Sequence, residues 1–398
     1  MAEIKFSLIG DLTPTLENSF HEFETQSHHR IHTETISWEK AWQQILMWAL
    51  HENSPHVSHV GSTWATSLFR MNALRPFTLT EIRSMGSQIA FLPQAWQSTQ
   101  SGDPENFAMP WGTYTFVLAY RKDWLKKAGI NEKNAFTTFE TLANTLKKLR
   151  ESGIKNPWVV PVGHDHLDTL HYVASWVWGV DGEFISPDAQ RATFNEPEAL
   201  KAITQYFELL QYMKRVPLPL DEDGALGMFV QSEAAVTIVG CGIPYTWFNS
   251  QLISKEMQLN LGFAPMPGMP WVGGDHLVIW KQARMSLEIE RASIEFVRYL
   301  ISQPVQEANA QGDDVRFPSR PDAFGALPFP ESQLTASILS SLRSGRSYRP
   351  IAYWSKIEHQ FARAFGTIAE NIFKGMPPAD AVKERLDSLA TWFNAMLR

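Results

Sequence analysis

The strongest constraint on this chain is a repeated unit: a short apolar strand ending in glycine or a polar residue, then a run with helical period. "IKFSLI" (4–9) ends at Gly10-Asp11 and leads into a helix read over residues 16–26. "VSHVG" (57–61) also ends at a glycine and leads into Ser62-Thr63-Trp64. "FVLAYRKDWLKKAGI" (116–130) gives a strand and then a helix that Gly129 stops. "AAVTIVG" (234–240) reads as a buried strand before Cys241. Strands alternating with helices predict an α/β fold built on largely parallel sheets. In such sheets ligands sit beyond the carboxyl ends of the strands, so residues at those ends are the first functional candidates.

The helical stretches carry apolar stripes. Over residues 38–50, Trp38, Trp42, Ile45, Leu46 and Ala49 share one face. Thr137 and Glu140 have the spacing of a capping box for a helix to about Glu151, and Asn195 is placed to cap the helix that follows Pro197. Helices are also expected over 287–301, 354–374 and 379–397, with an irregular Pro/Gly-rich stretch at 312–330. The last two helices carry the stripes Ile357-Phe361-Phe365-Ile368 and Val382-Leu386-Leu389-Phe393. A chain of 398 residues exceeds what one core usually serves, so two domains are expected.

Charge and cysteine content narrow the function. A net charge of −7 argues against nucleic acid, whose binders carry basic faces. The single cysteine, Cys241, excludes an intrachain disulfide and any cysteine-based zinc site. No run approaches the roughly 20 apolar residues of a membrane helix. Residues 1–10 lack the basic-then-apolar design of a signal peptide and read as a first strand. Either the protein is cytoplasmic, or a leader has been removed and the mature protein is periplasmic or extracellular, which is the placement expected. No P-loop, dinucleotide fingerprint, zincin motif or serine elbow is present, and no cofactor is expected.

The order of segments then resembles a known family. "FAMPWGTYTFVLAYRKDWLKKAGI" (107–130) is the most specific piece. "PHVSHVGSTWATSLFRMNALRPF" (55–77), "ATFNEPEALKAITQYFELL" (192–210), "FVQSEAAVTIVG" (229–240), "FAPMPGMPWVGGDHLVI" (263–279) and "RPIAYWSKIEH" (349–359) fall in the same order. Over essentially its full length the chain resembles the family 1 extracellular solute-binding proteins, relatives of maltose-binding protein. It departs where the family's aspartate after Pro55 is His56, and where Gly240 continues as Cys241-Gly242-Ile243-Pro244-Tyr245.

The resemblance implies a two-lobed periplasmic-binding-protein fold with a three-crossing hinge. The first lobe is expected over 1–115 and 267–316, the second over 118–264 and 318–398, with crossings near 113–118, 262–267 and 314–320. It implies a receptor that captures a carbohydrate or polyol in the cleft by lobe closure and delivers it to the membrane subunits of an ABC importer. The protein is expected to be a monomer and not an enzyme; a glycan-active enzyme and a ligand-sensing receptor domain are the alternatives.

Sugars present apolar ring faces and hydroxyl edges, so aromatic and directed polar groups are the expected contacts. Trp64, Trp111, Trp271 and Trp354 are candidate stacking surfaces, Tyr114 and Tyr245 further aromatic contacts. Asp11, Ser62, Thr63, Asp275 and His276 are candidate polar contacts; Asp11 can equally cap a helix. The stretch "GHDHLDTLH" (163–171) holds His164, His166, Asp168 and His171. A His-X-His pair suits a divalent ion, but no third ligand stands at a defined spacing. No metal is therefore expected, and the stretch reads as a ligand-facing loop with Asp168 or His166 as the contact.

Overall fold

The computed structural model describes residues 1–51, 53–100, 106–249, 252–312, 315–329 and 331–397. Its strands are β1 (Glu3–Ile9), β2 (Arg30–Ile36), β3 (Val57–Gly61), β4 (Met109–Arg121), β5 (Trp158–Val159), β6 (Val236–Gly240), β7 (Leu261–Pro265), β8 (Val272–Ile279) and β9 (Phe317–Pro318). The chain divides into two compact units. The first comprises 1–115, 272–331 and 347–355; the second comprises 116–271, 332–346 and 356–398.

In the first unit β1 lies between β2 and β3, parallel to both. β8 then runs antiparallel to β3 and to the first half of β4, and β9 adds to β4. The apolar residues of "IKFSLI" explain the core: Ile4, Phe6 and Leu8 are fully buried and meet Phe20, Phe23, Phe296 and Leu300. Phe6 sits edge-on to Phe20, Trp111 and Phe296, the geometry aromatic rings prefer.

In the second unit the rest of β4 pairs antiparallel with β6 and β7, and β5 lies parallel to β6. Helix Trp354–Phe373 buries its stripe as the spacing requires: Phe361 packs on Phe194 at 4.8 Å and Phe365 on Phe207 at 5.5 Å.

Three findings depart from expectation. The sheets are mixed, because β4 leaves the first unit while β8 re-enters it, so the two run in opposite senses. Residues 318–331 and 347–355 belong with the first unit, not the second. There Ser319 Oγ donates to Pro110 O at 2.9 Å, and Ser67 Oγ to Ala352 O at 2.7 Å. The chain accordingly passes between units at 115/116, 271/272, 331/332, 346/347 and 355/356. Residues 313, 314 and 330 of the Pro/Gly-rich stretch lie outside the described residues. Finally, two caps shift. Thr138 and Thr141 form the capping box, with Phe139 opening the helix, and Asn195 donates to Asp387 Oδ1 instead of capping. Glu196 is the cap residue there.

Candidate functional site

The carboxyl ends of β1, β2 and β3 form one edge of the first unit. Gly10 N donates to Ile36 O at 2.9 Å, which ties the end of β1 to the end of β2. Asp11 is exposed there, and the helix cap is Thr13, whose side chain accepts from Leu16 N. Asp11 is therefore not occupied as a cap. Ser62 and Thr63 are half-buried, and Ser62 N donates to Gly274 O at 2.9 Å.

Strand β8 supplies the charge at this edge. Asp275 is paired with Gly61 of β3 and Gly112 of β4. Its Oδ2 accepts from Arg316 Nη1 at 2.5 Å, and its Oδ1 lies 3.0 Å from His59 Nε2. His59 Nδ1 accepts from Ile9 N, so the ring's proton is on Nε2, the nitrogen that lies toward the carboxylate. Burial keeps His59 below the usual imidazole value in spite of Asp275. Burial also pushes the Asp275 carboxyl up, but His59 and Arg316 outweigh it and hold it well below the carboxylate range.

Two glycines make room for this pair. A Cβ on Gly112 would crowd Arg316 and Asp275 at 3.3 Å each. At Gly274, φ is +145° and a Cβ would stand 2.2 Å from Gly112 O. Gly274 is thus the point of close approach between β8 and its antiparallel neighbour β4, one residue ahead of the carboxylate.

His276 does not join Asp275. It faces the opposite side of β8, is buried, and its Nε2 lies 2.9 Å from Ser98 Oγ.

The indoles divide differently from expectation. Trp64 is 4% exposed and belongs to a core cluster with Ile45, Val60 and Leu68. Trp111 is buried in the other core cluster of the first unit, with Arg316 over its ring at 4.2 Å. Trp354 is buried against Tyr348 at 4.3 Å, its Nε1 donating to Arg349 O. These three are core side chains rather than open platforms. The exposed ring at this edge is Trp38, which opens helix Trp38–His51 two residues after β2 and is 49% exposed. It stands edge-on to His59 and Trp64, each at 5.7 Å. The helical stripe placed Trp38 among core residues; its position just after a strand's carboxyl end was the signal that could have nominated it. Tyr114 is half-buried on β4.

In the second unit Trp271 is buried face-to-face on His171, with ring centroids 3.8 Å apart and planes 6° apart, and Phe116 lies at 5.7 Å. Tyr245 is fully buried, its hydroxyl 2.7 Å from Thr335 Oγ1, and burial pushes it up to about 12.

Beyond β5, His166 and Asp168 meet Glu222, which sequence spacing did not suggest. Burial lowers His166 to about 4 and His171 to about 3, so both rings are neutral. Burial, with Glu222 adding to it, pushes Asp168 up to about 7. Each carboxylate opens a helix, a position worth about 0.3–1 kcal/mol to an anion.

An edge of this kind, polar groups and one open ring beyond parallel strands, is how α/β binding proteins meet small solutes. The model of the bacterial extracellular solute-binding protein family matches residues 18–331, and the chain belongs to that family. Membership implies a place outside the cytoplasmic membrane, periplasmic or extracellular, and a family of binding proteins. No curated protein matches the chain by sequence.

Solved structures share its fold. An ABC transporter solute-binding protein from Thermotoga lettingae, bound with alpha-D-tagatose, has a TM-score of 0.81 at 18% identity, covering 100% of both chains. The sugar-binding protein MalE from Xanthomonas citri has a TM-score of 0.80 at 20% identity, covering 99% of this chain and 98% of its own. A solute-binding protein from Agrobacterium radiobacter in complex with ribitol has a TM-score of 0.75 at 18% identity, covering 98% of each. The α/β fold expected from the sequence is the fold these proteins share. Among the described residues no helix is long and apolar enough to cross a membrane.

Proposed function

We propose that the protein binds a saccharide or polyol at the carboxyl edge of its first unit and delivers it, as a monomer, to the membrane subunits of an ABC importer. One observation carries the reading: the half-exposed indole of Trp38 stands edge-on to His59 at 5.7 Å, and His59 Nε2 in turn lies 3.0 Å from the Asp275 carboxylate that Arg316 holds. The ring offers a flat apolar surface to a sugar face, and the carboxylate and guanidinium offer an acceptor and donors to its hydroxyls. Asp11, Ser62 and Thr63 extend the polar rim of the same edge. The sugar and polyol ligands of the fold neighbours support the same class of solute.

The reading is of binding without turnover. At this edge Asp275 is ionised and held by Arg316, so it cannot serve there as the proton donor that glycoside hydrolysis needs. The test is calorimetric titration with a panel of monosaccharides, disaccharides and polyols, with amino acids as a counter-panel. Binding by at least one sugar or polyol is expected. Binding of amino acids alone would refute the solute class, and hydrolysis of an aryl glycoside that Glu222→Gln abolishes would refute the exclusion of catalysis.

A further inference from the structure

The second unit brings together three side chains that sugar binding at the first does not use. His166, Asp168 and Glu222 each place one donor atom within 4.8 Å of the other two. Backbone pairing in both directions between Val162 and Leu220, at 2.8 and 2.9 Å, fixes the segments that lead into His166 and Glu222. The cluster is therefore built by the fold and not by chance rotamers on a mobile surface.

Its charge is unbalanced. Neither Asp168 nor Glu222 meets a lysine or arginine among the described residues; the His171 ring nitrogen Nε2 lies 3.9 Å from Asp168 Oδ1. Two carboxyl groups gathered at one point gain from a cation placed between them, which attracts both. The imidazole is also prepared. His166 Nδ1 lies 3.1 Å from Thr169 Oγ1, which orients the ring and leaves its other nitrogen for a ligand. An outer hydrogen bond of this kind accompanies metal-binding histidines.

We propose that His166, Asp168 and Glu222 bind a divalent cation. One imidazole nitrogen with carboxylate oxygens suits zinc, whereas calcium and magnesium prefer all-oxygen shells of six or more ligands. Three protein ligands leave a further position for water or for an oxygen of a solute. The cluster stands beyond the carboxyl end of β5, the face on which an α/β sheet meets its ligands. This assignment does not depend on which solute the protein carries.

The experiment uses the full chain stripped with chelator. Zinc chloride is titrated while the unfolding midpoint is followed, and cobalt(II) is added in parallel for its visible absorption. Zinc should raise the midpoint at micromolar concentration, since a ligand of the folded state stabilises it. Cobalt should give the intense visible bands of a four- or five-coordinate site. His166→Ala and Glu222→Gln should each abolish both signals. Thr169→Val should weaken zinc by about 10- to 100-fold, the usual cost of losing an outer-shell partner. His32→Ala, at a surface histidine 3.7 Å from Glu3, should change neither. No zinc shift at millimolar concentration would overturn the site. A shift that survives in both His166→Ala and Glu222→Gln would overturn it as well, by placing the metal elsewhere.

Discussion

Replacing Trp38 and Trp64 by alanine separates the open ring from the buried one beside it. The two indoles touch at 5.7 Å, so a shared change in the edge would affect both, yet their exposures are 49% and 4%. A tryptophan presents up to about 250 Å², so Trp38 leaves roughly 120 Å² open, and a sugar ring covering one face removes about half of that. At roughly 25 cal/mol per Å² the stack contributes about 1.5 kcal/mol, on the order of a tenfold change in Kd. Trp38→Ala also gives up its edge contacts with Trp64 and His59, which should cost about 0.5–1.5 kcal/mol of stability. Trp64→Ala opens a cavity in a packed core and should cost about 3–5 kcal/mol. Calorimetric titration with the best sugar from the panel, alongside thermal unfolding, reads both quantities on both variants. The expected result is weakened binding with a small midpoint change for Trp38→Ala, and a large midpoint loss for Trp64→Ala. Unchanged affinity in Trp38→Ala would refute the stacking argument. A stable Trp64→Ala protein that had lost its ligand would show that the buried indole, not the exposed one, meets the sugar.

Asp275→Ala should destabilise the protein by roughly 3 kcal/mol, the low end for a broken buried pair, because about a fifth of the carboxylate is exposed (20%) and Arg316 is left uncompensated. The folded carboxyl lies below its unfolded value, so its contribution is complete above about pH 4 and fades as pH falls further. Asp275→Asn should therefore flatten the acid limb of the stability–pH curve; an unchanged limb would count against the pair. Thr138→Ala should cost about 1 kcal/mol through loss of the cap while Thr137→Ala stays near zero, measured by denaturant unfolding. The reverse order would return the capping box to Thr137.

What the sequence made legible, and what it hid, follows from the range of the forces involved. Strand ends and helix stripes are local, and they are found where the pattern put them: "IKFSLI" is β1, and Phe361, Phe365, Leu386 and Phe393 all turn inward. The capping register slipped by one residue because Thr137 and Thr138 are chemically alike, and only the backbone decides which one is the cap. Burial of an indole is not local at all. Trp64 beside Ser62-Thr63 and Trp38 on an apolar stripe read as site and core, but tertiary packing buries the first and leaves the second half-exposed.

The parting of Asp275 from His276 was legible in the sequence. Neighbours on a strand point to opposite faces, so Asp275 and His276 could never have shared one site while β8 stayed regular, and the structure sends His276 to Ser98. Glu222 was beyond reach for a different reason. It stands 54 positions after Asp168, and only the pairing of Val162 with Leu220 brings its segment alongside. A site assembled by one strand-like bridge leaves no spacing to read. That is why the carboxylate that turns a weak His-X-His signal into a three-donor cluster became visible only in three dimensions.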